Sequence, residues 1–298
     1  METVECIEEI IDMDDFKIAS KRWGNPNGIP VLALHGWLDN ANTFDKIAPL
    51  LSDNIYLVAI DLAGHGLSDH RTSDASYYLW DYALDVIRII EKLGWKKCAI
   101  LAHSMGTGIA SIIAGAMPKM ITKLIWIDGL GAPFVIEEDE IVSGFRKSVQ
   151  QLKMAKKTRL YGFSNSDEAY FKTKEEAIQD RMNSVIGKIS HEASSCLVER
   201  SLLPISGGFR WTYDPRIVLS ECYRMTESQA QLFIKNIQCK TLIILGEQGL
   251  FSNGMFTSRI KQFKDAEVHW ISGGHHLHLE EAHKPISKFI NNFLNNKL

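Results

Sequence analysis

The chain has 298 residues, of which 45% are hydrophobic and 23% charged, with a net charge of −3. These proportions exclude a disordered polypeptide and argue against a polyanion-binding surface, so no nucleic-acid partner is expected. The length suits one large domain carrying an insertion.

The five cysteines, Cys6, Cys98, Cys196, Cys222 and Cys239, are scattered and form no CxxC pair. Neither a disulfide framework nor a zinc site is expected. The opening Met1–Glu5 is acidic and precedes no long apolar run, so no secretory signal is read there. No apolar stretch is long enough to span a bilayer. A cytoplasmic, reducing location follows as the expectation.

In chain order, Glu5–Ile11 and Phe16–Arg22 read as an antiparallel edge pair. Short apolar runs follow at Val31–Leu34, Tyr56–Ile60, Cys98–Leu101, Leu124–Ile127, Thr241–Leu245 and Val268–Ile271. Their nearly continuous apolar character predicts parallel strands covered on both faces. Amphipathic segments lie between them, the clearest being Ser76–Leu93, with Leu79, Tyr82, Ala83, Val86, Ile89, Ile90 and Leu93 on one face. Ile109–Met117 and Ile286–Leu294 follow the same pattern. Strands alternating with helices predict an α/β fold with a mostly parallel sheet.

The alternation stops at Pro133 and resumes near Cys239. The intervening residues are more polar, with charged runs at Glu137–Glu140, Lys153–Lys157 and Lys172–Glu176 that read as solvated helix faces. This predicts a core domain of residues 1–133 and 239–298, with a helical cap at 134–238.

Leu101-Ala102-His103-Ser104-Met105-Gly106 follows a buried strand and opens a helix, the context of a nucleophile elbow. The positions two before and two after the serine must be small. Gly106 meets this, and Ala102 replaces the usual first glycine. The helix beginning at Met105 points its positive end at the serine oxygen, which suits a developing oxyanion.

With this elbow, His35-Gly36-Trp37-Leu38-Asp39-Asn40, Asp61-Leu62-Ala63-Gly64-His65-Gly66-Leu67-Ser68-Asp69 and Gly274-His275-His276-Leu277-His278-Leu279-Glu280 make a set of motifs in a fixed order. Carrying them, the chain resembles the α/β-hydrolase family over nearly its full length. The His35–Asn40 run and Phe209-Arg210-Trp211-Thr212-Tyr213-Asp214-Pro215-Arg216 look most like the serine hydrolase-like (kraken-type) group. The resemblance implies an eight-stranded, mostly parallel sheet with helices on both faces. It also implies an oxyanion hole made of the Trp37 and Met105 backbone N–H groups, and His275 as general base, set in register by Gly273-Gly274. His276 and His278 are rivals, with His278 facing the start of the final helix. His35, His65, His70, His191, His269 and His283 read as structural, and no pair among them suggests a metal. Asp61 and Asp69 read as stabilising their loop.

The acid is where the chain departs from the family. Gly249 stands where the family usually places an Asp, in Gly246-Glu247-Gln248-Gly249-Leu250. Three readings remain open. Asp128, after the Leu124–Ile127 strand, serves as some family members use that position. Alternatively, Glu247 serves through a shifted loop. Otherwise no acid operates, and the protein is a weakened enzyme or one that binds a ligand without turning it over. The leading expectation is a carboxylesterase-like serine hydrolase of small-molecule esters, needing no metal or organic cofactor. A thioesterase or carbon–carbon hydrolase is also compatible with Ser104. An aspartate-nucleophile dehalogenase or epoxide hydrolase is not. Phe134, Phe145, Tyr161, Phe163, Phe171 and Trp211 either line an acyl pocket or pack the cap, most of them the latter.

Overall fold

A computed structural model describes residues 5–73, 75–158, 170–184, 187–219, 221–252 and 254–296. Eight strands form one sheet: β1 (Ile7–Asp12), β2 (Lys17–Gly24), β3 (Ile29–Leu34), β4 (Ile55–Ile60), β5 (Cys98–His103), β6 (Ile121–Ile127), β9 (Lys240–Gly246) and β10 (Ala266–Ile271). β7 (Leu202–Ile205) and β8 (Gly208–Trp211) stand apart as a hairpin. The sheet order is β1-β2-β4-β3-β5-β6-β9-β10. β1 and β2 run antiparallel at one edge, and from β4 onward every pairing is parallel.

The continuous apolar runs have the meaning expected of them. Along β3, Leu32 and Leu34 enter one core cluster while Val31 and Ala33 enter the other, and β4, β5 and β6 divide the same way. One face is covered by α1 (Leu79–Lys92) and α2 (Met105–Ala116). The other is covered by α8 (His283–Asn295), which inserts Ile286, Ile290, Phe293 and Leu294. Among the described residues no helix is long and apolar enough to cross a membrane.

Between β6 and β9 lie α3 (Ile141–Thr158), α4 (Lys174–Met182), α5 (His191–Glu199) and α6 (Glu227–Asn236), with α7 (Gly254–Thr257) following β9. The helical expectation for this segment misses the β7–β8 hairpin. Ser206-Gly207 provides its turn, with Gly207 at φ 86°, a conformation that glycine adopts without steric cost. α6 packs Ala230 and Ile234 into the same core cluster as α2. α4 and α5 carry the buried arginines Arg181 and, just past α5, Arg200.

Arg200 ties this segment to the sheet. Its Nε lies 2.8 Å from Asp61 Oδ2, and its guanidinium also reaches Glu8 at 2.8 Å. Asp61 is fully buried and accepts from the Ala41 and Leu67 N–H groups as well. Asp61 thus stabilises its loop as the sequence suggests, but it also anchors the inserted segment. Removing one partner of a buried pair leaves the other charge uncompensated. Arg200→Met should therefore lower unfolding free energy by about 3–5 kcal/mol in urea titrations. A loss under about 1 kcal/mol, the range of an exposed pair, would contradict this anchoring role.

Candidate active site

Ser104 stands at the junction of β5 and α2 with φ 49° and ψ −117°. A non-glycine residue held there is strained by about 1–3 kcal/mol, so its surroundings must impose the conformation. The turn is that tight because the α2 backbone lies hard against β3. A Cβ added to Gly106 would come within 2.4 Å of the Leu34 carbonyl oxygen. Ala102 is fully buried, in register with Leu34 on one side and Trp126 on the other. Its methyl group fits there without breaking either pairing.

His275 lies on the loop after β10 and is buried. Its Nε2 is 2.9 Å from Ser104 Oγ, and its Nδ1 is 2.5 Å from Asp128 Oδ2. An ionised carboxylate only accepts, so Nδ1 carries the proton and Nε2 is left to accept from the serine hydroxyl. Burial lowers the His275 pKa below its ordinary 6.5, and the hydrogen bond to Asp128 opposes that shift.

Asp128 follows β6 directly, at φ 37°, and is fully buried. Besides His275 it accepts from Gly246 N–H at 3.0 Å and Leu250 N–H at 3.1 Å. The departure at Gly249 has a steric reason. A Cβ there would lie 2.1 Å from Asp128 Oδ1 and 2.6 Å from both its Cγ and its Oδ2. The space beside Gly249 is filled by the Asp128 carboxylate. Because β6 and β9 are neighbours, a carboxylate rooted on β6 reaches the place that a side chain after β9 would occupy. Glu247 is exposed and does not join this chain.

Met105 is the first residue of α2, so its N–H has no acceptor within the helix. Gly36 backs onto Ser104, since a Cβ there would stand 3.1 Å from Ser104 Cβ. Trp37 and Met105 both border a cavity of about 420 Å³. The Trp37 indole donates to the Ile217 carbonyl at 3.1 Å, and its ring meets Phe134 edge-on at 6.3 Å. Of the aromatics in the inserted segment, Phe134 lines this cavity, while Phe171 and Trp211 pack on one another at 5.1 Å. Phe145 is exposed. Tyr161 and Phe163 lie outside the described residues.

A second buried carboxylate, missed in the sequence, sits behind these groups. Asp39 contacts His276 Nε2 at 3.0 Å, His103 Nδ1 at 3.3 Å and Arg181 at 2.8 Å. Burial alone would raise its pKa, but His276, His103 and Arg181 outweigh that and hold it well below the usual carboxylate value. His276 is itself pushed down to about 3 by burial, so it is neutral at physiological pH. Asp39, His103 and His276 bring possible metal-ligand atoms within 4.8 Å of one another. The Arg181 guanidinium is bound to both Asp39 and His276, however, and already provides a positive charge there. His103 Nε2 also lies 3.0 Å from the His275 carbonyl oxygen. His278 does not face the final helix. Its Nε2 bonds Thr43 Oγ1 at 2.8 Å, and its ring lies 4.3 Å from that of His103. The only sequence signal for this cluster is the density of histidines around His275.

Residues 29–282 match the family model of the alpha/beta hydrolase fold. Over 280 residues the chain is 34% identical to a serine hydrolase-like protein of Dictyostelium discoideum, covering 89% of this chain and 75% of that protein. Among solved structures, a hypothetical protein of Pseudomonas aeruginosa PAO1 aligns with a TM-score of 0.88 at 36% identity, covering 96% of this chain and 99% of that one. A thioesterase domain from the curacin biosynthetic pathway aligns with a TM-score of 0.79 at 26% identity, covering 96% and 99%. The chain belongs to the α/β-hydrolase family, and its relatives include proteins named serine hydrolase-like.

The short His275–Asp128 contact should give a strongly deshielded imidazole N–H resonance in proton NMR spectra. Gly249→Ala should abolish it, because the new methyl group displaces the carboxylate. A resonance unchanged in Gly249→Ala would contradict the steric account.

Proposed function

We propose that this hydrolase cleaves carboxylic esters through an acyl-enzyme, with Ser104 as nucleophile, His275 as general base and Asp128 as the orienting acid. The observation that carries this reading is the continuous hydrogen-bond chain from Asp128 through His275 to Ser104.

Ser104 Oγ attacks the ester carbonyl as His275 Nε2 takes its proton. Asp128 holds the imidazole in the required tautomer and stabilises its cationic form. The oxyanion that develops lies toward the Trp37 and Met105 N–H groups, which are fixed in place before the reaction. Each such donor is worth about 3–4 kcal/mol to the transition state. His275 then returns the proton to the leaving alcohol, and a water deprotonated by the same histidine releases the acid. Residues 134–238 act as the cap, with Phe134 and Ile217 forming part of the substrate cavity. The free thiols suit a cytoplasmic setting.

The likeness to a thioesterase domain supports a second reading in which the leaving group is a thiol. The same residues would act, and paired oxygen and sulfur esters of one acyl group would tell the two apart. The ligand-binding alternative rests on the missing Asp at 249, and the Asp128 carboxylate beside Gly249 weighs against it.

On p-nitrophenyl acetate, Ser104→Ala should lose activity by several orders of magnitude and Asp128→Asn by roughly 10⁴-fold, the scale for a base left in the wrong tautomer. Glu247→Gln should match wild type. Activity lost in Glu247→Gln but kept in Asp128→Asn would overturn the assignment of the acid.

The base works only when neutral, and its neutral fraction falls as pH drops through its pKa. Because burial lowers that pKa, the acid limb of kcat/KM should have its midpoint below 6.5. A midpoint above 7 would contradict this.

A further inference from the structure

The cavity beside Ser104 is mostly apolar, bordered by residues such as Trp37, Leu79, Phe134 and Ile217. Two charged residues of the inserted segment, Glu221 and Arg224, also face it. Arg224 Nε lies 3.8 Å from Glu221 Oε2, close enough to pair electrostatically and too far to hydrogen-bond. Arg224 Nε is buried and has no hydrogen-bond partner among the described residues. The Glu221 carboxylate likewise has no hydrogen-bond donor among the described residues. Only 26% of its side chain is accessible, and burial pushes its carboxyl up to about 7 against the opposing effect of Arg224. The Arg224 guanidinium rests over the Phe134 ring, which fixes its position at the cavity wall.

A partly accessible acceptor and a buried donor without a partner among the described residues, 3.8 Å apart, define what would complete them. A small shift of the Arg224 side chain, whose Nε is closed to water as it stands, admits one oxygen about 2.9 Å from each atom. Above about pH 7, where Glu221 is ionised, the opposite charges balance, so a charged ligand group would leave a net charge in a low-dielectric cavity, whereas a neutral group would not. We propose that Glu221 and Arg224 select substrates whose acyl chain carries a neutral hydroxyl or amide, donating to Glu221 and accepting from Arg224 Nε. This assignment rests on the ester-hydrolase reading of Ser104 and names the substrate class for it.

The test uses p-nitrophenyl esters of plain, ω-hydroxy, ω-ammonio and ω-carboxy fatty acids across a homologous series. p-Nitrophenyl acetate, whose acyl group carries nothing that could bond the pair, reports on the chemistry at Ser104 alone. At one chain length the ω-hydroxy ester should exceed the other three in kcat/KM by about tenfold, the scale of a hydrogen bond to a charged group. In Glu221→Leu the ratio of ω-hydroxy to plain ester should fall to about one, while Glu221→Gln, which still accepts, should keep most of it. No preference at any length would mean that the pair reads nothing, and preference for the ω-carboxy ester would mean that it reads an anion. Either outcome overturns the proposal. If acetate itself is not hydrolysed, the hydrolase reading has failed separately. Calorimetric binding of ω-hydroxy and plain methyl esters to Ser104→Ala then decides the role of the pair, and equal affinities overturn it.

Discussion

A carboxylate shut away from water must be met by hydrogen-bond donors, and the arrangement around Asp128 follows from that requirement. Its two oxygens take the Gly246 and Leu250 N–H groups and the His275 imidazole. To receive them, the carboxylate must lie across the end of β9, and it can do so only where residue 249 has no side chain. The β6–β9 register brings the two strand ends together, and the positive φ of Asp128 turns the chain there. His275 is in turn fixed with Nε2 facing Ser104, whose own strained turn depends on the closeness of α2 to β3. Strain, glycine placement and strand order thus converge on one hydrogen-bond chain.

Asp39 does a different job with the same physics. It is as buried as Asp128, but its partners are His103 next to Ser104, His276 next to His275, and Arg181 from α4. Asp39 itself closes the turn that carries Gly36 and Trp37, through its N–H to the Gly36 carbonyl. A single charge therefore joins the loops that carry Ser104, His275 and Trp37 to the inserted segment. Arg200 on Asp61 makes a second such tie farther along the same segment.

Much of this was legible in the sequence because local chemistry marks it. Buried parallel strands read as apolar runs, and the elbow, the His35–Asn40 loop and the His275 loop each sit directly after one. Asp128 was legible for the same reason, being the first polar residue after β6. What local patterns do not carry is who meets whom across the chain. The sequence left Asp128, Glu247 and no acid as open alternatives, because choosing among them requires knowing that Asp128 and Gly249 touch across 121 positions (249 − 128). The Asp39 cluster was illegible because Arg181 lies 142 residues away on a helix whose apolar pattern is weak. The β7–β8 hairpin was missed because its strands are short and only half-buried, so they show no clean alternation.

The central claim is that Asp128, acting through His275, activates Ser104. Labelling with a fluorophosphonate, followed by mapping of the modified peptide, tests it without any assumption about the natural substrate. The account predicts a single adduct on Ser104, formed orders of magnitude more slowly in Asp128→Asn. An unlabelled Ser104 in folded protein, or equal labelling rates in wild type and Asp128→Asn, would contradict it.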